Sequence, residues 1–289
     1  MNFSSQQDFF IYDLDTFEPE KNDIFVLGSF ESLHMGHYQL FKKAIELKQT
    51  KQSRIVLVYF DNSNLPPSKN KEVFCDEQAK EWVIANLDIF DAALKLEFSK
   101  ISLLDGFEFI EKLTKNKECN IIVGKDFRYG KAAKYDAFSI NQHTNVSLDI
   151  IDFFKFNNFK ISTSTLKEMI KENQFNQVNE LLVYNYVISA KLLSNQFLKT
   201  STYTIKLPKG IYACYTYVQN IKYYSYLKSD KDGNYSLYFI DFAYDYQHDL
   251  DVTVEILKQL NSNNSSEEFS EEDNYNQVKK YFIDLIKNY

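Results

Sequence analysis

Between Ile24 and Phe154, short apolar runs alternate with segments whose apolar positions recur at helical spacing. Ile24-Phe25-Val26-Leu27 reads as a buried first strand, after which Leu40, Phe41, Ala44, Ile45 and Leu47 mark one face of a helix. Ile55-Val56-Leu57-Val58-Tyr59-Phe60 predicts a second strand, followed by a loop with Pro66-Pro67 and a helix from about Asp76 to Leu87. Ala92 to Phe98 reads as a third strand, Leu103 to Leu113 as a third helix, Ile121-Ile122-Val123 as a fourth strand and Val146 to Phe154 as a fifth. This rhythm calls for an α/β fold, a parallel sheet covered on both faces. Ligands of such sheets bind outside the carboxyl ends of the strands.

From about residue 184 the rhythm changes. Tyr186-Val187-Ile188, Tyr203-Thr204-Ile205, Ile211 to Val218, Tyr223 to Leu227, Tyr235 to Phe242 and Val252 to Ile256 are short aromatic and β-branched runs. Turn signals at Pro208-Lys209-Gly210 and Asp232-Gly233-Asn234 separate them, which predicts a small all-β barrel. The polar stretch Asn261 to Asp273 reads as a flexible loop, and Val278 to Ile286 as an amphipathic helix closing on the barrel. The chain of 289 residues suits two domains, divided here as 1–183 and 184–289.

The bulk numbers exclude several classes. A content of 44% hydrophobic and 25% charged residues is that of a soluble globular protein. No apolar run approaches a membrane span, and MNFSSQQDFF lacks the basic and apolar parts of a secretion signal, so no membrane partner is expected. The three cysteines, Cys75, Cys119 and Cys214, lack C-x-x-C spacing; they fit a reducing compartment, by default the cytoplasm, and argue against a zinc site. A net charge of −7 argues against non-specific nucleic-acid binding. Arg54 and Arg128 are the only arginines, so many arginine roles fall to lysine.

Three segments carry chemistry. The first is Gly28-Ser29-Phe30-Glu31-Ser32-Leu33-His34-Met35-Gly36-His37, an HxGH between the first strand and first helix. Two of the chain's 4 histidines and two of its 7 glycines fall there. Imidazoles flanking a helix start, where backbone N–H groups lack partners, can add donors to a bound phosphate. A plain helix cap is the alternative. The second is Val123-Gly124-Lys125-Asp126-Phe127-Arg128-Tyr129-Gly130, just after the fourth strand. Its glycines at 124 and 130 allow close approach to a ligand, and Asp126 can accept from a ribose or help hold a metal. The third is Ile161-Ser162-Thr163-Ser164-Thr165-Leu166-Lys167, whose hydroxyls suit either an N-cap or, with Lys167, a phosphate cradle.

Together these segments resemble the nucleotidyltransferases built on HxGH and ISSTxxR-type motifs. More narrowly, they resemble the FMN adenylyltransferase module of the bacterial bifunctional riboflavin kinase/FAD synthetase family. That module carries a G-x-F-D-G-x-H-x-G-H turn, a G-x-D-F-x-F-G loop and an I-S-S-T-x-I-R helix start in this order. Asn179-Glu180-Leu181-Leu182 is similar to the family's A-N-x-L-L-G segment. Leu207-Pro208-Lys209-Gly210-Ile211-Tyr212-Ala213 and Phe239-Ile240-Asp241-Phe242 are similar to the L-P-x-G-V-Y-A and L-L-D-F of its kinase barrel.

The resemblance implies a Rossmann-like nucleotidyltransferase domain followed by a riboflavin-kinase-like barrel. It implies an FAD synthase joining AMP from ATP to FMN with Mg2+, the partners being these small molecules. His34, His37 and Lys167 take the catalytic roles; Gly28, Ser29, Phe30, Gly36, Gly124, Asp126, Thr163 and Ser164 bind ATP. Phe60, Asp61, Asn62, Phe127 and Tyr129 face the flavin. The motifs name no protein ligand for the metal.

The departures fall in two groups. Glu31 and Ser32 stand where the family has Asp and Gly, Thr163-Ser164 transposes its Ser-Thr, and Lys167 replaces its Arg. Phe60-Asp61-Asn62-Ser63-Asn64 stands where the family has F-x-P-H-P against flavin. In the barrel the kinase signature G-F-P-T-A-N is missing between Ala190 and Leu207, and Tyr235-Ser236-Leu237-Tyr238 replaces V-E-V-H with its catalytic Glu. Without metal ligands and a carboxylate base, phosphoryl transfer from ATP to riboflavin lacks charge neutralisation and nucleophile activation, so the kinase is expected to be lost. The rivals are a bifunctional enzyme with a diverged kinase site, a non-catalytic flavin- or nucleotide-binding protein, and an HxGH enzyme for another phosphorylated acceptor.

Overall fold

Ile24–Leu27 is buried at every position because it is hydrogen-bonded on both sides, to Ile55–Phe60 and to Cys119–Gly124. In the computed structural model, residues 9–50, 53–62, 72–152, 154–156, 159–219, 221–242, 248–262 and 270–287 are described. Contacts divide the chain into two units, residues 1–70 with 81–161 and residues 71–80 with 162–289.

The first unit opens with β1 (Phe10–Asp13), β2 (Ile24–Leu27), α1 (Met35–Thr50) and β3 (Ile55–Phe60). There follow α2 (Glu77–Asn86), which starts in the 71–80 segment, then β4 (Ala92–Leu96), α3 (Phe98–Ile101), α4 (Gly106–Thr114) and β5 (Cys119–Gly124). It ends with the pair β6 (Arg128–Tyr129) and β7 (Tyr135–Asp136), then β8 (Val146–Ile151) and the pair β9 (Lys155–Phe156) and β10 (Phe159–Lys160). The main sheet has order β1-β4-β3-β2-β5-β8, and all its pairings are parallel. From β2 the chain winds outward through β3 and β4, then crosses back to β5. The switch point therefore lies between β2 and β5, and the loops leaving both strands border it.

At the opposite edge Arg54 grips the buried Asp23 with two hydrogen bonds, Nε to Oδ1 at 3.0 Å and Nη2 to Oδ2 at 2.7 Å. This bidentate pair ties the start of β2 to that of β3.

The strand order corrects the sequence reading in two places. Ile24–Leu27 is not the first strand: β1 precedes it at the sheet edge, too short and too exposed to show a pattern. The helix expected over Leu103 to Leu113 is α4, which starts only at Gly106, and a separate short helix, α3, precedes it at Phe98–Ile101. Asp105 caps α4 by accepting from Phe107 N at 3.0 Å, and Leu103, 74% exposed, falls in the turn between them.

The second unit contains α5 (Thr163–Lys171), α6 (Phe175–Leu181), β11 (Tyr186–Leu192), β12 (Phe197–Thr200), β13 (Gly210–Val218), β14 (Ile221–Ser229), β15 (Tyr235–Phe239), β16 (Leu250–Ser262) and α7 (Glu271–Lys287). The barrel closes in the order β11-β12-β15-β14-β13-β16, because the long β16 pairs with both β11 and β13. Tyr203-Thr204-Ile205 is not a barrel strand. It brackets Val73, with Val73 N bonded to Tyr203 O and Ile205 N to Val73 O at 2.8 and 2.9 Å. The barrel strand is β12, whose Phe197 is exposed and weakens the alternation. Val278 and Phe282 of α7 pack on Ile211, Ala213, Tyr226 and Ile240, as an amphipathic closing helix requires. Pro66-Pro67, and residues 263–269 of the expected polar loop, lie outside the described residues.

Candidate active site

His34 immediately precedes α1, and its carbonyl accepts from His37 N and Tyr38 N at 2.8 and 3.1 Å. Its ring folds back over the first turn, so that Nδ1 accepts from His37 N at 3.3 Å and the two imidazoles stack with centroids 3.8 Å apart and planes at 12°. Gly36 makes the fold-back possible, since a Cβ there would lie 2.9 Å from the His34 ring. The spacing of the HxGH thus has a steric cause. With Nδ1 accepting, the neutral tautomer carries its proton on Nε2. Burial pulls the His34 pKa down to about 4, and the charge of Lys160 acts in the same direction. At neutral pH His34 is therefore an uncharged donor. The first turn of α1 carries no acidic residue, which leaves the positive end of the helix dipole available to an anion.

Phe30 packs against the second ring of this pair, that of His37. It is fully buried with φ of 43°, its ring meeting His37 edge-on at 4.8 Å and Phe41 at 5.7 Å. A Cβ on Gly28 would come within 2.8 Å of that ring.

The loops after β2 and β3 meet at the same sheet edge. Gly28 N bonds Val58 O at 3.2 Å, Phe60 N bonds Ser29 O at 3.4 Å, and Asp61 N bonds Leu96 O at 3.0 Å. Phe60 and Asp61 are half-buried and Asn62 is buried, while Ser63 and Asn64 lie outside the described residues. After β5 the chain turns tightly, Phe127 N bonding Gly124 O at 2.9 Å, which presents Asp126 to solvent. There Lys160 Nζ reaches Asp126 Oδ2 at 2.6 Å. Sequence reasoning missed Lys160. Its signal was a basic residue directly before Ile161, whose carbonyl lies 4.0 Å from where a Gly36 Cβ would be.

Two residues of the β5 loop face inward. Tyr129 stacks on Phe127 at 5.6 Å, sits in the hydrophobic core and bonds Ser139 Oγ at 3.1 Å through its hydroxyl. Gly130, with φ of 72°, also approaches the backbone of Gly106, where an added Cβ would lie 2.8 Å from Gly106 N.

In the second unit Ser162 caps α5, its Oγ accepting from Thr165 N at 3.2 Å and lying 2.9 Å from Thr165 Oγ1. The cap uses Ser162 and Thr165 and leaves Ser164 exposed, with Thr163 half-buried. Lys167 Nζ donates to the Glu72 carbonyl, and Lys171 pairs with the Glu72 carboxylate at 2.6 Å. Among the described residues no group of three or more His, Cys, Asp or Glu could hold a metal ion.

A parallel sheet with a histidine-bearing helix start at its switch point is the arrangement expected of a nucleotidyltransferase, and the family match supplies that activity. The FAD synthetase family profile matches residues 17–165, more than half of the chain, and the chain belongs to that family. It is 25% identical over 222 residues to the bifunctional riboflavin kinase/FMN adenylyltransferase of Buchnera aphidicola subsp. Acyrthosiphon pisum, covering 68% of each chain. It is 22% identical over 186 residues to the FAD synthetase of Listeria monocytogenes, covering 60% of this chain and 75% of that one. In fold it is similar to a macrolide-efflux protein from Streptococcus pneumoniae, with a TM-score of 0.73 at 17% identity over 94% of this chain and 97% of the other.

Proposed function

We propose that this protein is an FAD synthase that transfers AMP from ATP to FMN, and that its barrel no longer phosphorylates riboflavin. The observation that carries the reading is the stacked His34–His37 pair at a helix start with no acidic residue in its first turn, beside the β2/β5 switch point. An FMN phosphate oxygen attacks the α-phosphorus of ATP, the bond from that phosphorus to the bridging oxygen breaks, and pyrophosphate leaves. A phosphate monoester with second pKa of about 6 is already ionised at neutral pH, so no general base is needed. The chain's task is positioning and charge stabilisation. Neutral His34 donates from Nε2 and His37 adds a second donor. Mg2+ enters with the ATP triphosphate as part of the substrate, and no carboxylate cluster is assigned to it.

Gly28, Ser29, Gly36, Gly124 and Asp126 are assigned to the nucleotide, with Asp126 on the ribose. The buried Phe30 serves as their support. Thr163, Ser164 and Lys167 are assigned to the triphosphate from the family motif. Phe60, Asp61, Asn62 and Phe127 are assigned to the flavin, with Tyr129 holding their loop from the core. The functional division proposed is 1–183 for adenylyl transfer and 184–289 for the barrel. The setting proposed is cytoplasmic; none of the described helices is long and apolar enough to cross a membrane.

Incubation with FMN, ATP and Mg2+, followed by chromatography, tests the reading. FAD and pyrophosphate are expected in equal amounts. ATP binding without FAD formation would favour a non-catalytic nucleotide-binding protein.

A further inference from the structure

The Asp126 carboxylate is held by a cation from another element. Lys160, at the end of β10, reaches it at 2.6 Å, and both side chains remain about half exposed, at 49% and 59%. Lys160 also stands close enough to His34 for its charge to depress protonation of that imidazole. The next residue, Ile161, lies against the Gly36 turn. One ammonium group thus stands between the β5 loop and the HxGH turn.

An exposed ion pair contributes little to stability, about 1 kcal/mol or less, so it separates readily when either partner finds a better contact. A triphosphate offers Lys160 a more highly charged partner, and a ribose hydroxyl offers Asp126 a donor. Building on the FAD synthase reading, we propose that Lys160 is a binding residue that exchanges partners. It neutralises Asp126 in the free site and moves to the phosphates of the incoming nucleotide, releasing the carboxylate for the ribose. The pair spares the arriving polyanion an exposed negative charge, and its opening couples phosphate capture to sugar recognition.

Inorganic pyrophosphate separates the two halves of this exchange, because it has phosphates and no ribose. Its affinity, measured by calorimetry on the full chain, should fall about tenfold in Lys160→Gln, the scale for losing one charge-assisted hydrogen bond. In Asp126→Asn it should rise several-fold, because Lys160 is no longer drawn to a carboxylate. ATP should bind more weakly to Lys160→Gln, and in Asp126→Asn the gain seen with pyrophosphate should disappear. Both side chains are exposed, so folding is expected to persist, and circular dichroism verifies it. Lys160→Arg should restore pyrophosphate binding. Pyrophosphate affinity that ignores Lys160→Gln, or that falls in Asp126→Asn, overturns the exchange. FAD formation by the unsubstituted protein is read separately, so a failed exchange and a failed synthase assignment give different results.

Discussion

The imidazole of His34 lies flat on that of His37, with centroids 3.8 Å apart. Two cationic rings at this distance would repel, and the burial that pulls His34 to about pKa 4 keeps at least one of them neutral. Each ring also fixes the other's orientation, so the pair should act as a unit. His34→Ala and His37→Ala should each lower kcat for FAD formation by about 10²-fold, the scale for removing one transition-state donor. The double variant should lose far less than the product of the two, since either removal disorders the remaining ring. Losses below tenfold for both single variants would make the pair a structural cap.

The same burial has a consequence for folding. The His34 pKa is about 4 in the folded protein and about 6.5 when exposed, so between these values the unfolded chain binds more protons. Stability from this group is full above pH 6.5, is lost as pH falls toward 4, and levels off below that. The total effect is at most about 3 kcal/mol. In urea titrations from pH 7.5 to 4, His34→Asn should lose stability less steeply than the parent protein. Parallel pH profiles would place the His34 titration elsewhere.

Gly28 should tolerate no side chain, although nothing in its own conformation forbids one. A Cβ there would press on Phe30, which is fully buried between His37 and Phe41 and has no room to retreat. Gly28→Ala should therefore tilt the His37 ring and reduce kcat about tenfold or more, in keeping with the sensitivity of donors to small displacements. Combining it with Phe30→Leu should recover part of the loss. A Gly28→Ala variant with parental kcat would show that Phe30 does not position His37.

How much of this was legible beforehand depends on range. The strand at Ile55–Phe60 and the helix over Glu77–Asn86 emerge from local periodicity, since continuous burial and one apolar face leave marks in neighbouring residues. The HxGH stood out because its glycine and histidines are scarce residues in one turn. Hidden were features set by distant partners. β1 exists because β4 offers it an edge, β12 because β11 and β15 flank it, and Gly130 because Gly106 packs against it. Lys160 belongs to this group. Its meaning comes from Asp126, 34 residues earlier.

Lys167 sits on the first turns of α5 and donates to the Glu72 carbonyl. Lys167→Ala should raise the KM for ATP about tenfold with a smaller effect on kcat, as expected for losing a charge-assisted contact to phosphate. Lys167→Arg should be tolerated or lower the KM, because a guanidinium supplies two parallel donors where the ammonium supplies a point charge. An unchanged KM in the alanine variant would reduce Lys167 to a residue that fastens Glu72.

Riboflavin should not be converted to FMN at a rate comparable to FAD formation. By resemblance to the kinase barrel, the place of its glutamate falls at Ser236, on β15 between Phe197 of β12 and Lys228 of β14. Two carboxylates that lie nearby in sequence are already committed. Glu255 is buried and receives hydrogen bonds from Asn185 Nδ2 at 2.6 Å and Tyr217 OH at 2.8 Å. Asp241 is held by Lys279 at 2.7 Å and by Tyr275 OH at 2.6 Å. Asp245 lies outside the described residues. A carboxylate fixed in this way is poorly placed to take a proton from a hydroxyl, and loss of such a base commonly reduces rate by about 10² or more. Ser236→Glu alone should not restore the kinase, because the Thr and Asn of the family's metal-binding segment are also missing from the sequence. The barrel itself should stay folded. Phe282→Ala, which empties a core position between α7 and the barrel wall, should destabilise that unit by about 3 kcal/mol. FMN production from riboflavin and ATP at rates near those of FAD formation would show that another residue serves as base, and the protein would then be bifunctional.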